Sequence, residues 1–99
     1  MASEKTLITP EPDLTEEAAW YREQLEKHLT NGLSALDNKD TSTLETIGHR
    51  IKGSAESFGF DGAGDIGKAL ETAAKTNDYH GMEKRLSALA DYLKRIVIA

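Results

Sequence analysis

The chain contains no cysteine, so disulfides and thiolate metal sites are excluded. Proline is nearly absent: only Pro10 and Pro12 occur, both in the polar opening segment. Aromatic residues make up 6% of the chain, too few for a core built on rings. No apolar run approaches the roughly 20 residues of a membrane-spanning helix. The N-terminus lacks the apolar centre of a signal peptide, and the expected setting is soluble and cytoplasmic, with no membrane partner. Excess positive charge is missing too. A formal net charge of −5 argues against a general nucleic-acid binder, while leaving room for a local cationic patch around Arg50 and Lys52. What is present suits a small helical bundle. The 99 residues provide for one domain and one modest core, and the 38% hydrophobic content is mostly Leu, Ile and Ala.

Residues 1–13 read as a flexible leader, and the folded domain as residues 14–99. A first helix is expected over roughly 14–38, with Thr15 as N-cap and Glu16 and Glu17 in a first turn where carboxylates suit the helix dipole. Leu14, Ala18, Tyr21, Leu25, Leu29, Leu33 and Leu36 form its apolar stripe. Asp37 to Asp40 is a turn. Thr41 or Ser42 can cap a second helix, with Glu45 as capping-box partner to Ser42. This helix is expected to end near Phe58, with Gly59 as its C-cap glycine. A third helix over roughly 61–76 carries Ala63, Ile66, Leu70, Ala73 and Ala74 at helical spacing, and its small residues allow close packing against the second. A fourth runs from Tyr79 or His80 to Val97 on Met82, Leu86, Leu89, Leu93 and Ile96. Four amphipathic helices with short connections predict an all-α fold, an antiparallel up-down-up-down four-helix bundle.

One motif misleads. Gly62, Gly64 and Gly67 match the spacing of a dinucleotide fingerprint, and Gly62 with Gly67 and Lys68 matches most of a P-loop. A P-loop needs Ser or Thr after the lysine to hold its metal, and Ala69 stands there. Both motifs need a strand directly before them, and no β-rich segment precedes these glycines.

The second helix carries the chemistry. Leu44, Ile47, Ile51, Ala55 and Phe58 define its buried stripe. At about 100° per residue, His49 lies roughly 160° from the centre of that stripe, and Lys52, Gly53 and Glu56 share its outward half. Lys52 is one turn away and would meet any anion bound at His49. Gly53, four residues on, weakens a helix interior by about 0.5–1 kcal/mol relative to alanine. Its use would be to clear side-chain bulk so that a partner can approach the imidazole. Outward imidazole, adjacent cation and cleared approach make a place to load an anionic group onto histidine and take it off again. The opposing reading is a solvated surface histidine that does nothing, incidental to a non-catalytic helical adaptor; taken with the resemblance set out next, such an adaptor would bind receiver domains or other signalling partners. Trp20 lies off its stripe, and is either a cover over the end of the bundle, perhaps against the apolar C-terminus, or an exposed anchor for a partner. His28 is assigned no role, and His80 is expected to be solvated.

The run His49-x-x-Lys52-Gly53-Ser54 followed by Gly59 resembles the phosphorylation motif of histidine-containing phosphotransfer (HPt) domains. The likeness extends over about residues 14–98. It implies a four-helix-bundle carrier that shuttles a phosphoryl group between receiver-domain aspartates in a two-component phosphorelay, through a phosphohistidine at His49. Nε2 would attack, Lys52 would offset charge on the phosphoryl oxygens, and Gly53 would admit the receiver. A group accepting a hydrogen bond from Nδ1–H would hold the ring in the useful tautomer. Alignment with the family makes Glu71 the candidate, against the plain alternative of a surface glutamate. The partners implied are response-regulator receiver domains and a hybrid histidine kinase. No cofactor is expected of the chain itself, because Mg²⁺ would come from the receiver. No kinase activity of its own is expected, since a kinase dimerisation domain normally adjoins an ATP-binding domain for which these residues leave no room. A monomer is expected.

Overall fold

The computed structural model describes residues 6–8 and 15–98. Four helices make up nearly all of it: α1 (Thr15–Asp37), α2 (Thr41–Ser54), α3 (Asp61–Lys75) and α4 (Tyr79–Arg95). Helix α2 ends at Ser54 with Ala55 as its C-cap, short of the expected end near Phe58; one turn of 3-10 helix (Glu56–Phe58) follows, and it is this turn, not α2, that Gly59 caps. Helix α1 begins at Thr15 itself, one residue inside the cap position expected of it, and the residue before it lies outside the described residues.

The linkers follow from local chemistry. The turn after α1 places Lys39 at φ 54 and is closed by Asp40 N–H donating to Ala35 O. Asp40, rather than Thr41 or Ser42, then caps α2: its carboxylate accepts from the Thr43 N–H at 3.1 Å and from the Thr43 hydroxyl at 2.6 Å. The capping box expected of Ser42 and Glu45 is therefore replaced by one acidic cap, Asp40, two residues before Ser42. Gly59 sits at φ 83, the left-handed geometry that terminates the helical run. Asp78 caps α4 through the Gly81 N–H at 2.9 Å.

Packing joins the beginning of each helix to the end of its neighbour. The Tyr21 hydroxyl of α1 meets Ser54 Oγ of α2 at 2.7 Å. Arg22 donates to the Leu93 carbonyl near the end of α4 at 3.2 Å. Gly64 of α3 faces Ala55, just past the end of α2, and Gly62 lies against the ring of Tyr92. Leu25, Leu44, Ile51, Phe60, Leu70, Met82, Leu86 and Leu89 are the largest side chains fully buried between the helices. Each contributes roughly 1.5–3 kcal/mol relative to exposure.

The stripes expected for α2, α3 and α4 face this core, with Phe58 and Ile66 packed partly buried at its edge. The stripe of α1 departs at one place. Leu33 is half exposed, and Gly32 is buried instead, because a side chain at 32 would run into Leu86. An ideal helix drifts from a strict four-residue repeat, so the stripe passes from Leu25 through Gly32 to Ala35 and leaves Leu33 outside. Phe60, read from the sequence as part of a tight connection, is wholly buried and tilted against Tyr21 with ring centroids 5.3 Å apart.

Two corrections concern the ends. Helix α4 stops at Arg95, not Val97: Ile96 turns extended and begins a strand, β2 (Ile96–Ile98). Three consecutive β-branched residues favour extended backbone. The partner of β2 is β1 (Thr6–Ile8), aligned in parallel with Thr6 opposite Ile96 and Ile8 opposite Ile98. These three residues of the expected leader thus take part in a two-stranded pair, while 1–5 and 9–14 lie outside the described residues. Among the described residues, no helix is long and apolar enough to cross a membrane.

Candidate functional site

Helices α2 and α3 approach each other more closely than side chains would allow. A methyl group built on Gly48 would lie 2.6 Å from the Glu71 backbone nitrogen and 2.7 Å from the Gly67 carbonyl oxygen. One built on Gly67 would lie 2.8 Å from the Gly48 carbonyl oxygen and from the Lys52 nitrogen. The two glycines form a backbone-to-backbone crossing, and Glu71 is one turn beyond it. That closeness lets a short carboxylate on α3 reach round to the outward face of α2. Gly48 went unnoticed in the periodicity, although it stands four residues after Leu44 and three before Ile51, on the margin of the buried stripe.

Glu71 is the buried acid of the site, 7% exposed. Its Oε2 lies 2.9 Å from His49 Nδ1, and its Oε1 accepts from Lys52 Nζ at 2.8 Å. Lys75, one turn along α3, brings its Nζ to 3.7 Å from Oε2. The hydrogen bond from Lys52 is the main reason that the Glu71 carboxyl is held down at about 2, against the opposing effect of burial. The His49 contact and the charges of Lys52 and Lys75 add to it. Glu71 is therefore ionised and can only accept. The hydrogen on the short His49–Glu71 bond belongs to Nδ1, and in the neutral ring Nε2 carries the free lone pair. The His49 side chain is 68% exposed.

Glu71, the candidate that came through the family resemblance, bonds both His49 and Lys52, and Gly53 follows Lys52 on the same helix. Gly53 has no atom within 4 Å of where a side chain would begin, so the approach beside the imidazole is open. Glu71 is not the surface glutamate of the alternative reading. Gly59 stands apart, ending the helical run. Lys75 was not singled out, although its four-residue step from Glu71 was visible. Trp20 is 52% exposed and tilts against Phe58 at 6.0 Å between centroids, so it partly covers that ring and leaves the rest of its surface in solvent. His28 is half-buried, its pKa lowered by burial and then by nearby Arg50. His80 is exposed, as expected.

The glycine-rich decoy resolves as helix. A 3-10 turn, not a strand, precedes Gly62, and these glycines lie within α3 rather than in a loop. Among the described residues, no group of three or more His, Asp or Glu is placed to hold a metal ion.

An exposed imidazole on a helix face, bonded at Nδ1 to a buried carboxylate that also holds a lysine, is the geometry of the site. The model of the Hpt domain family matches residues 15–98. The chain belongs to the Hpt domain family. No curated protein and no solved structure matches it. Membership assigns this Hpt domain a histidine-phosphotransfer role in phosphorelay signalling, with receiver domains and kinases as the classes of partner.

Proposed function

We propose that His49 is the phosphoacceptor of this Hpt domain and that the chain passes its phosphoryl group between receiver-domain aspartates. The observation that carries the reading is the 2.9 Å contact of His49 Nδ1 with the ionised Glu71 carboxylate. The Nε2 lone pair attacks the phosphorus of an aspartyl phosphate. The Nε2–P bond forms as the P–O bond to the receiver aspartate breaks, and the departing carboxylate keeps the electron pair. Positive charge that develops on the ring is met at Nδ1–H by Glu71, a charge-assisted hydrogen bond that strengthens as the reaction proceeds. Transfer of this kind asks mainly for positioning and electrostatics. Lys52 attends the phosphoryl oxygens, Gly53 gives the receiver room, and the receiver brings Mg²⁺. The start-to-end helix contacts support an antiparallel up-down-up-down course, which sets α2 and α3 side by side. A hybrid histidine kinase at the head of the relay and a monomer at work in the cytoplasm complete the reading.

The test is labelling with phosphoramidate, mapping of the label under non-acidic conditions, and addition of receiver domains with Mg²⁺. Label on His49 that moves to a receiver, and its loss in His49→Ala, is the expected result. Label spread equally over His28, His49 and His80, with no receiver accepting it, would overturn the assignment and leave a helical adaptor.

A further inference from the structure

Glu71 has two oxygens and three basic neighbours, and the third is unexplained by the reading above. Lys52 serves Oε1 and His49 serves Oε2, yet Lys75 Nζ stands 3.7 Å from Oε2, just beyond hydrogen-bond distance. Lys75 projects from the same helix as Glu71 and its side chain is 56% exposed, so it can close that gap by rotating bonds of its own.

The need for it arises from direction. Nδ1 points at Glu71, so a phosphoryl group on Nε2 is carried on the opposite side of the ring. In the structure Lys52 is bonded to Glu71, on the Nδ1 side. Phosphoryl oxygens bearing a charge of about −1.5 to −2 draw it away from that carboxylate. A buried carboxylate stripped of its cation is unfavourable, so the move is easier where a second cation stands ready.

Resting on the assignment of His49 as phosphoacceptor, we propose that Lys75 is a positioning residue for phosphoryl transfer: it takes over the Glu71 carboxylate when Lys52 turns to the phosphohistidine. It touches neither the phosphoryl group nor the imidazole. It acts through Glu71, which stays ionised and stays on Nδ1 while Lys52 changes partners.

The experiment measures, at equilibrium with a receiver domain and Mg²⁺, the share of phosphoryl group held by His49. Lys75→Met is expected to lower that share about threefold to fivefold, the range of a partly exposed charge pair. Lys75→Arg should restore it. Lys68→Met removes the same charge from α3 one turn before Glu71, without a Glu71 contact, and should change the share less than about twofold. In a Lys52→Met background, where no lysine leaves Glu71, adding Lys75→Met should also change it less than about twofold. The proposal is overturned if Lys75→Met behaves as the unsubstituted protein, if Lys68→Met matches it, or if its full effect survives without Lys52. Label absent from His49 in the unsubstituted protein defeats the phosphoacceptor assignment, and this proposal with it. Normal label at His49 with an inert Lys75 defeats this proposal alone.

Discussion

Single side chains at the α2–α3 surface answer to different forces, and substitutions should separate them. His49→Ala removes an exposed ring together with its hydrogen bond to buried Glu71, so label uptake should vanish while stability falls by only about 0.5–1.5 kcal/mol, the net worth of one hydrogen bond; calorimetry alongside the labelling assay checks both. Glu71 behaves otherwise. Its folded carboxyl titrates at about 2 rather than 4.5, so its stabilising effect is present above the unfolded value. That effect is lost as pH falls from about 4.5 through about 2. Glu71→Gln should therefore flatten the acid side of the stability curve in that window, measured by urea unfolding at stepped pH. The same variant should redistribute the His49 ring tautomers, visible by ¹⁵N NMR, because an amide can donate as well as accept. His49, Lys52 and Gly53 were legible from spacing because an outward helical face is a local property. Glu71 could be named only by likeness to the family, since the reach of a side chain across two helices is not written in either helix.

At the scale of elements, the glycines of α2 divide by what surrounds them. Gly48 lies at the crossing with α3, where an added methyl would meet backbone atoms at 2.6 and 2.7 Å. Backbone cannot step aside as a side-chain tip can, so Gly48→Ala should destabilise the fold by about 1–3 kcal/mol and slow phosphoryl transfer by moving Glu71 away from His49. Gly53 faces open space. Gly53→Ala should raise stability by up to about 0.5–1 kcal/mol, yet slow transfer to a receiver, since the methyl fills the cleared approach. Paired denaturation and transfer measurements on the two variants test this; a Gly53→Ala protein that transfers at the original rate would remove the approach role assigned to that glycine. Periodicity located all four helices to within a few residues, because burial of one stripe imposes a 3.6-residue repeat whatever the partner. It misjudged Leu33 and the caps of α2. Those depend on which turn of a neighbouring helix stands opposite and on which of several competent oxygens the backbone presents.

For the whole molecule, one small core holds the site. Phe60 is wholly buried between helices although it sits in a connection. Phe60→Ala should destabilise by about 3–5 kcal/mol, a large part of the 5–15 kcal/mol typical of a domain, and should lower the Tm well beyond any surface variant of α2. Light scattering should return the mass of one chain. A stable dimer would overturn the monomer proposed here.

The sequence by itself determined the helices, their buried stripes, the exclusion of a nucleotide loop and the outward group of His49, Lys52 and Gly53. Each of these is set by neighbours within a turn or two of chain. Tertiary structure alone decided that Gly48 meets Gly67, that Glu71 is buried yet ionised with three basic groups around it, and that Ile96–Ile98 leaves the helix to pair with Thr6–Ile8. These depend on distances between segments far apart in the chain, where an ångström of helix separation decides whether a carboxylate reaches an imidazole.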